Sequence, residues 1–419
     1  MKIVFLLHLY QPPVQNETEF KTIYTQVYFP LIKYIKNKKN LRAVLSIPLS
    51  LLEQMDRYGY KSWIEDVKNL FENERIELTG GAAYHPLLTK IPEIFIEKQI
   101  VLNEYGLGYY FGRKSGFEGE ASIMIKNLDG FFPPEMAINS ELVYILNEFQ
   151  YKWVVADETL VPNREIKREN KFGIYDFSDL DIKILVRNRT LSNLFSFKRD
   201  TNPTELISCI KYLGSAGIVA LDAEMLGHHY DRGMALLDNF VDELISNNIH
   251  ISSMKEYVES EKSVILEGIN ESSWGATDKE MEEGNIYPFW DDNSNEIQQF
   301  LWQAIHKLLS ITPAKGDVDE GFETLPVWEE KSLQLISDES LRKDIEYDVL
   351  LCKISESDQF WWASKKEILG HVMYDPAHIK SVLELYSKTS SYAGEEAEKA
   401  ITKISSKILD IIQDNNENS

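Results

Sequence analysis

Residues 217–230 read Gly-Ile-Val-Ala-Leu-Asp-Ala-Glu-Met-Leu-Gly-His-His-Tyr, an apolar run that ends in two carboxylates and a histidine pair. A run without polar alternation fits a strand covered on both faces, as in a parallel sheet. In parallel α/β folds ligands bind at the carboxyl ends of strands, so Asp222, Glu224 and His228 fall where chemistry is expected. A solvated acidic face is the plainer alternative, but the apolar residues just before argue against it.

Similar runs recur on either side. They are Lys2 to Leu9, stopped by Gln11-Pro12-Pro13, then Arg42 to Ile47, Ile76 to Leu78, Trp153 to Ala156, Ile182 to Val186 and Ile249 to Ile251. Amphipathic stretches lie between them, at 48–58, 60–73, 138–149 and 234–247. This alternation predicts an α/β barrel or a doubly wound sheet, and the pattern alone does not choose between them. After residue 268 the strand-like runs stop. Helical patterns cover 295–310, 341–354, 376–387 and 395–412, with a loop expected at 312–326 and a frayed polar tail at 413–419.

The chain has 419 residues, 43% of them apolar, with 44 Lys+Arg against 67 Asp+Glu and a net charge of −23. That apolar content supports a large core and excludes a disordered chain. The charge argues against nucleic acid and anionic lipid, since phosphates need a basic face. The one basic stretch, Arg164 to Lys171, is broken by Glu165 and Glu169. Neutral partners such as sugars carry no penalty. Cys209 and Cys352 form neither a metal-type pair nor a disulfide framework. No stretch approaches about 18 apolar residues, and the start lacks a signal-peptide pattern, so a cytoplasmic protein is expected.

Four segments concentrate polar chemistry. His8-Leu9-Tyr10-Gln11-Pro12 ends the first run and offers donors and acceptors for hydroxyls. Gly80-Gly81-Ala82-Ala83-Tyr84-His85-Pro86 is a glycine turn that projects Tyr84 and His85, without the helix a phosphate loop requires. Gly130-Phe131-Phe132-Pro133-Pro134-Glu135 sets a carboxylate among aromatics and prolines, with no clear strand before it. Glu135 reads either as a rigidly held reactive carboxylate or as a first-turn helix acid. The fourth segment is the one quoted first, where Asp and His side chains also raise metal binding. Farther on, Trp274 and Trp290 sit in loop-like sequence beside carboxylates, a pairing suited to sugar rings. Trp302, Trp361 and Trp362 read better as core.

In this order the segments resemble glycoside hydrolase family 57, the retaining α-glucan-active enzymes. The resemblance implies a distorted (β/α)7 barrel, residues 1–268, followed by a C-terminal helical domain, 269–419, that contributes to the active-site cleft. It implies Glu135 as nucleophile and Asp222 as acid/base. It places substrate contacts at His8, Tyr10 (where the family has a second His), Gln11, His85, Glu224, His228, Trp274 and Trp290. No metal and no cofactor are implied, and the substrate is an α-glucan or maltooligosaccharide. The chain is short for the family's branching and disproportionating enzymes, so an α-amylase-like hydrolase is expected ahead of a 4-α-glucanotransferase or branching enzyme. Outside the family, a metal-dependent carbohydrate deacetylase would draw on Asp222, His228 or His229, and His8. A catalytically silent sugar-binding protein is a third reading.

Overall fold

Apolar, β-branched residues make short strands, and here seven of them close a ring. The strands before residue 268 are β1 (Lys2–His8), β2 (Ala43–Ser46), β3 (Ile76–Leu78), β4 (Gly130–Phe131), β5 (Trp153–Ala156), β6 (Ile174–Phe177), β7 (Lys183–Val186), β8 (Gly217–Asp222), β9 (His250–Ile251) and β10 (Ser263–Leu266), and a separate two-stranded hairpin pairs Glu367–Ile368 with His371–Val372. The computed structural model describes residues 1–112, 128–162, 173–214, 217–311, 328, 330–368 and 371–417. The basic stretch at 164–171 and the loop expected at 312–326 lie outside the described residues.

Two runs of neighbours, β3-β2-β1-β8 and β7-β5-β4, are parallel throughout. Single parallel bridges join them, Gly80 to Phe131 at one seam and Arg187 to Ile218 at the other. The ring is therefore β1-β2-β3-β4-β5-β7-β8, a distorted (β/α)7 barrel that is wide open to hydrogen bonding at neither seam. Strand β6 runs antiparallel to β7, β10 pairs with β6, and β9 pairs with the first residues of β1. The expected run at Ile249 to Ile251 is thus a short accessory strand. The seventh ring position belongs to β4, whose two residues carry no periodic signal.

Side chains alternate along a strand, so every second residue faces the same way. One core cluster contains Val4 and Leu6 of β1, Val44 of β2, Trp153 and Val155 of β5, Leu185 of β7, and Ile218 and Ala220 of β8. Continuing each series by two reaches His8, Ser46, Asp157, Arg187 and Asp222 at the carboxyl ends. The same row is apolar through the barrel and polar at its mouth.

The chain groups into two units. The first is Met1–Gln11, Asn16–Gly81 and Lys126–Trp274; the second is Pro12–Gln15, Ala82–Ile125 and Gly275–Ser419. The second unit is helical, with Glu93–Phe111, Glu296–Ile311, Glu339–Lys353, Asp358–Ala363, Pro376–Ala393 and Glu395–Glu417 as its main helices. Trp302 stacks on Phe360 in its core, with ring centroids 4.2 Å apart. The last helix runs to Glu417, with Ile401, Ile408 and Ile412 buried along one stripe, and residues 418–419 of the expected tail lie outside the described residues. Both cysteines are free thiols. Among the described residues no helix is long and apolar enough to cross a membrane.

Candidate active site

The mouth of the first unit is built strand by strand. His8 ends β1 and is paired in register with Ser46 on one side and Asp222 on the other. Its Nδ1 lies 3.1 Å from Ser46 Oγ, and its ring stacks on Phe132 at 4.5 Å. Burial lowers its pKa to about 3, so the imidazole is neutral and serves as a hydrogen-bonding group rather than a cation.

Asp222 is open to solvent on one side, yet protein crowds the rest of its carboxyl. That partial desolvation raises its pKa to about 6, and the Arg187 charge opposes the rise. A carboxyl tuned this way holds a proton in mildly acidic solution and can still release it, as a general acid/base must.

Glu224, two residues on, is different. It is buried; Tyr28 Oη donates to its Oε1, and Gln11 Nε2 lies 3.4 Å from the same oxygen. Burial, with the Asp222 charge beside it, lifts Glu224 to about 8. Gln11 is buried too, and its Nε2 donates to Tyr10 O at 2.6 Å and Tyr28 Oη at 2.9 Å. Both were expected to touch substrate. The fold instead ties them to each other and to the backbone beneath Tyr10, because a Glu or Gln sealed from water must bond internally.

Glu135 lies across the ring from Asp222 in strand order, four residues beyond β4. Its backbone takes a left-handed conformation, φ 57°, as does Met136 at φ 46°. Such positions are strained for residues other than glycine and persist only where surroundings fix them. Here Glu135 O accepts Trp274 N–H at 3.1 Å, and Ile138 and Ser272 exchange both backbone bonds. Trp274 Nε1 then donates to Glu135 Oε2 at 2.6 Å. The half-buried Trp274 also stacks on Phe197, centroids 6.0 Å apart. A carboxylate gripped by a charge-assisted bond is held in a fixed orientation.

His228 Nδ1 lies 2.9 Å from Gln26 Oε1, and burial lowers its pKa. A Cβ at Gly227 would fall 2.2 Å from Gln26 O, so only glycine permits this approach. His229 is exposed beside it. Among the described residues, Asp222, His8, His228 and His229 do not bring three ligand atoms within 4.8 Å of one another. The deacetylase reading loses the ligand set it relied on.

Two expected residues belong to the second unit. His85 is buried with φ 57°, its Nδ1 3.0 Å from Ser357 Oγ. Trp290 is fully buried against Phe289 and Trp361, and Trp302 Nε1 donates to its carbonyl. Trp290 is a core residue, with no open face for the substrate contact expected of it. Nearby, Trp302 and Trp362 are buried as expected and Trp361 is half-buried.

The sequence reading passed over Asp157 and Arg187. Each directly follows an apolar run at the inward parity, and that signal is visible in the sequence. Asp157 is completely buried and accepts Arg187 Nε at 2.8 Å and Arg189 Nη1 at 2.6 Å.

The family model for glycosyl hydrolase family 57 matches residues 6–267. Among curated proteins none matches the sequence. Solved structures share the fold. A 4-α-glucanotransferase from Thermococcus litoralis is 16% identical with TM-score 0.65, covering 94% of this chain and 60% of that one. A branching enzyme from Thermococcus kodakaraensis is 14% identical with TM-score 0.64, covering 93% and 90%. An exo-type maltose-forming amylase from Pyrococcus sp. ST04 is 13% identical with TM-score 0.68, covering 100% and 84%. The chain spans less than two thirds of the first of these.

Proposed function

This chain belongs to glycosyl hydrolase family 57, and from that premise we propose that it cleaves α-glycosidic bonds of α-glucans, with retention, by double displacement between Glu135 and Asp222. Glu135 attacks the anomeric carbon as the bond to the leaving oxygen breaks, and that oxygen takes the proton of Asp222. Asp222 then removes a proton from water, whose oxygen displaces Glu135 and returns the sugar with its original configuration. Retention asks for carboxyl groups roughly 5–5.5 Å apart.

The observation that carries the reading is the difference between the two carboxyls. One is held by an indole N–H, and the other is lifted to about 6 at an open strand end. His8, Tyr10, His228 and Trp274 are the side chains we assign to sugar contacts, with Gln11 and Glu224 acting behind them. Maltooligosaccharides or longer α-glucans are the substrates, and the free thiols fit a cytoplasmic enzyme.

The test is mutational. Glu135→Ala and Asp222→Asn should each lose at least about 10³-fold in kcat/KM on maltooligosaccharides while keeping the wild-type circular dichroism spectrum. Wild-type turnover in either variant refutes the assignment. Proton NMR of the first product should show the α-anomer. Product chromatography separates release of small sugars by hydrolysis from elongated or branched chains made when an acceptor hydroxyl replaces water.

A further inference from the structure

One buried carboxylate in the barrel mouth serves two arginines that lead to opposite sides of it. Asp157 accepts Arg189 Nη1, and Arg189 Nη2 goes on to Trp274 O at 3.3 Å, behind the indole that grips Glu135. Asp157 also accepts Arg187 Nε. The Arg187 backbone bridges to Ile218 of β8, and its Nη1 reaches Ala220 O at 3.4 Å, two residues short of Asp222 on the same strand. Its Nη2 is buried and has no hydrogen-bond acceptor among the described residues. A guanidinium does not lose its proton in proteins, so this charge is fixed.

We propose that Arg187, anchored by Asp157, is a positioning residue whose fixed charge sets the proton affinity of Asp222 and so lets one carboxyl serve as acid and then as base. This rests on the double-displacement reading above. The groups that act on or pair with Asp222 are Arg187, His8 on β1, Glu224 just beyond β8, and Tyr28. His8 is neutral through burial, while Glu224 and Tyr28 keep their protons near neutral pH. Arg187 is the member of this set that carries charge there. Without it, the effect of burial on Asp222 would be unopposed and the carboxyl would hold its proton too tightly to pass it to the leaving oxygen.

The experiment is kcat/KM against pH on a maltooligosaccharide for wild type, Arg187→Lys, Arg187→Gln, Arg187→Met and Asp157→Asn, with folding checked by circular dichroism and thermal melting. The alkaline limb reports Asp222. It should move up by about half a pH unit or more in the Gln and Met variants and hold its place in the Lys variant. Asp157→Asn strips the counter-charge from Arg187 and should move that limb down, and it decides the matter if the neutral variants do not fold. The acidic limb should stay put in all of them. Alkaline limbs unchanged in the Gln, Met and Asn variants, or a Lys variant shifted as far as Met, would overturn the proposal. A wild type without α-glucan activity, or an active Asp222→Asn, defeats the double-displacement reading itself and takes this proposal with it.

Discussion

The strand ends that carry Asp222 and Glu135 meet the same demand by opposite means. β8 is six residues long, and each pairs in register with β1 from Ile3 to His8. The direction of Asp222 then follows from the pleat alone. β4 pairs over two residues, Gly130 and Phe131, and cannot aim anything four residues away. The chain there borrows support from Pro133 and Pro134, from two left-handed residues, and from the segment Ser272 to Trp274. Each strained position costs of order 1–3 kcal/mol, which the surrounding contacts must offset. The lesson is that the Asp222 end should be tolerant of backbone change and sensitive to charge, and the Glu135 end the reverse.

The comparison breaks first, if it breaks, at Trp274. Trp274→Phe keeps an aromatic face for Phe197 but removes the donor to Glu135, and should lower kcat about 10²-fold with KM little changed. Steady-state kinetics on a maltooligosaccharide checks this, and an unaffected kcat would leave Glu135 aimed by its backbone alone. At the other end the control is charge. Because Asp222 must be protonated to act as acid and its pKa is about 6, kcat/KM should fall about tenfold per unit above pH 6. A flat profile to pH 8 removes Asp222 from the acid role.

A third probe loads the seam beside β4. Gly80 N–H donates to Gly130 O at 2.8 Å, and Gly80 O accepts Phe132 N–H at 3.1 Å. A Cβ at Gly80 would lie 2.2 Å from Tyr151 Oη, so Gly80→Ala should cost about 1–3 kcal/mol in denaturant unfolding. The reason is close approach, where the sequence alone had offered a tight turn.

The smallest effect sharpens the β8 side. Glu224 rises from 4.5 to about 8 on folding, so the folded state favours its protonated form. That stability is complete below pH 4.5 and is lost as pH climbs toward 8. Asp222 contributes in the same sense only up to about 6. Between pH 6 and 8, therefore, the melting temperature of wild type should fall more than that of Glu224→Gln. Parallel slopes would mean that Glu224 is ionised in the fold.

How much of this was legible in the sequence follows from the same contrast. Asp222 announced itself because five strand residues precede it and the barrel buries them. The two-residue β4 left no pattern, and Glu135 was found through its motif alone. Trp274 and Trp290 looked alike in sequence, since exposure depends on which residues come to cover a ring. Phe289 and Trp361 cover one of them completely. Gln11 and Glu224 were read as ligand contacts because a one-dimensional pattern cannot show that Tyr28, far off in the chain, closes over them. Arg187 and Asp157 show the converse, a signal that was present in the alternation of each strand and needed the ring to give it meaning.

The interleaving of the two units has a consequence for biosynthesis. As the chain leaves the ribosome, β1 emerges among the first residues but must wait for β8 at 217–222 to complete its pairing. Residues 82–112 must likewise wait for the stretch after 275 with which they group. Long-range pairing of this kind folds slowly and leaves apolar segments uncovered in the interim. Expression of either unit by a single cut in the gene should therefore yield aggregate, whereas slower translation or added chaperone should raise the yield of the whole chain.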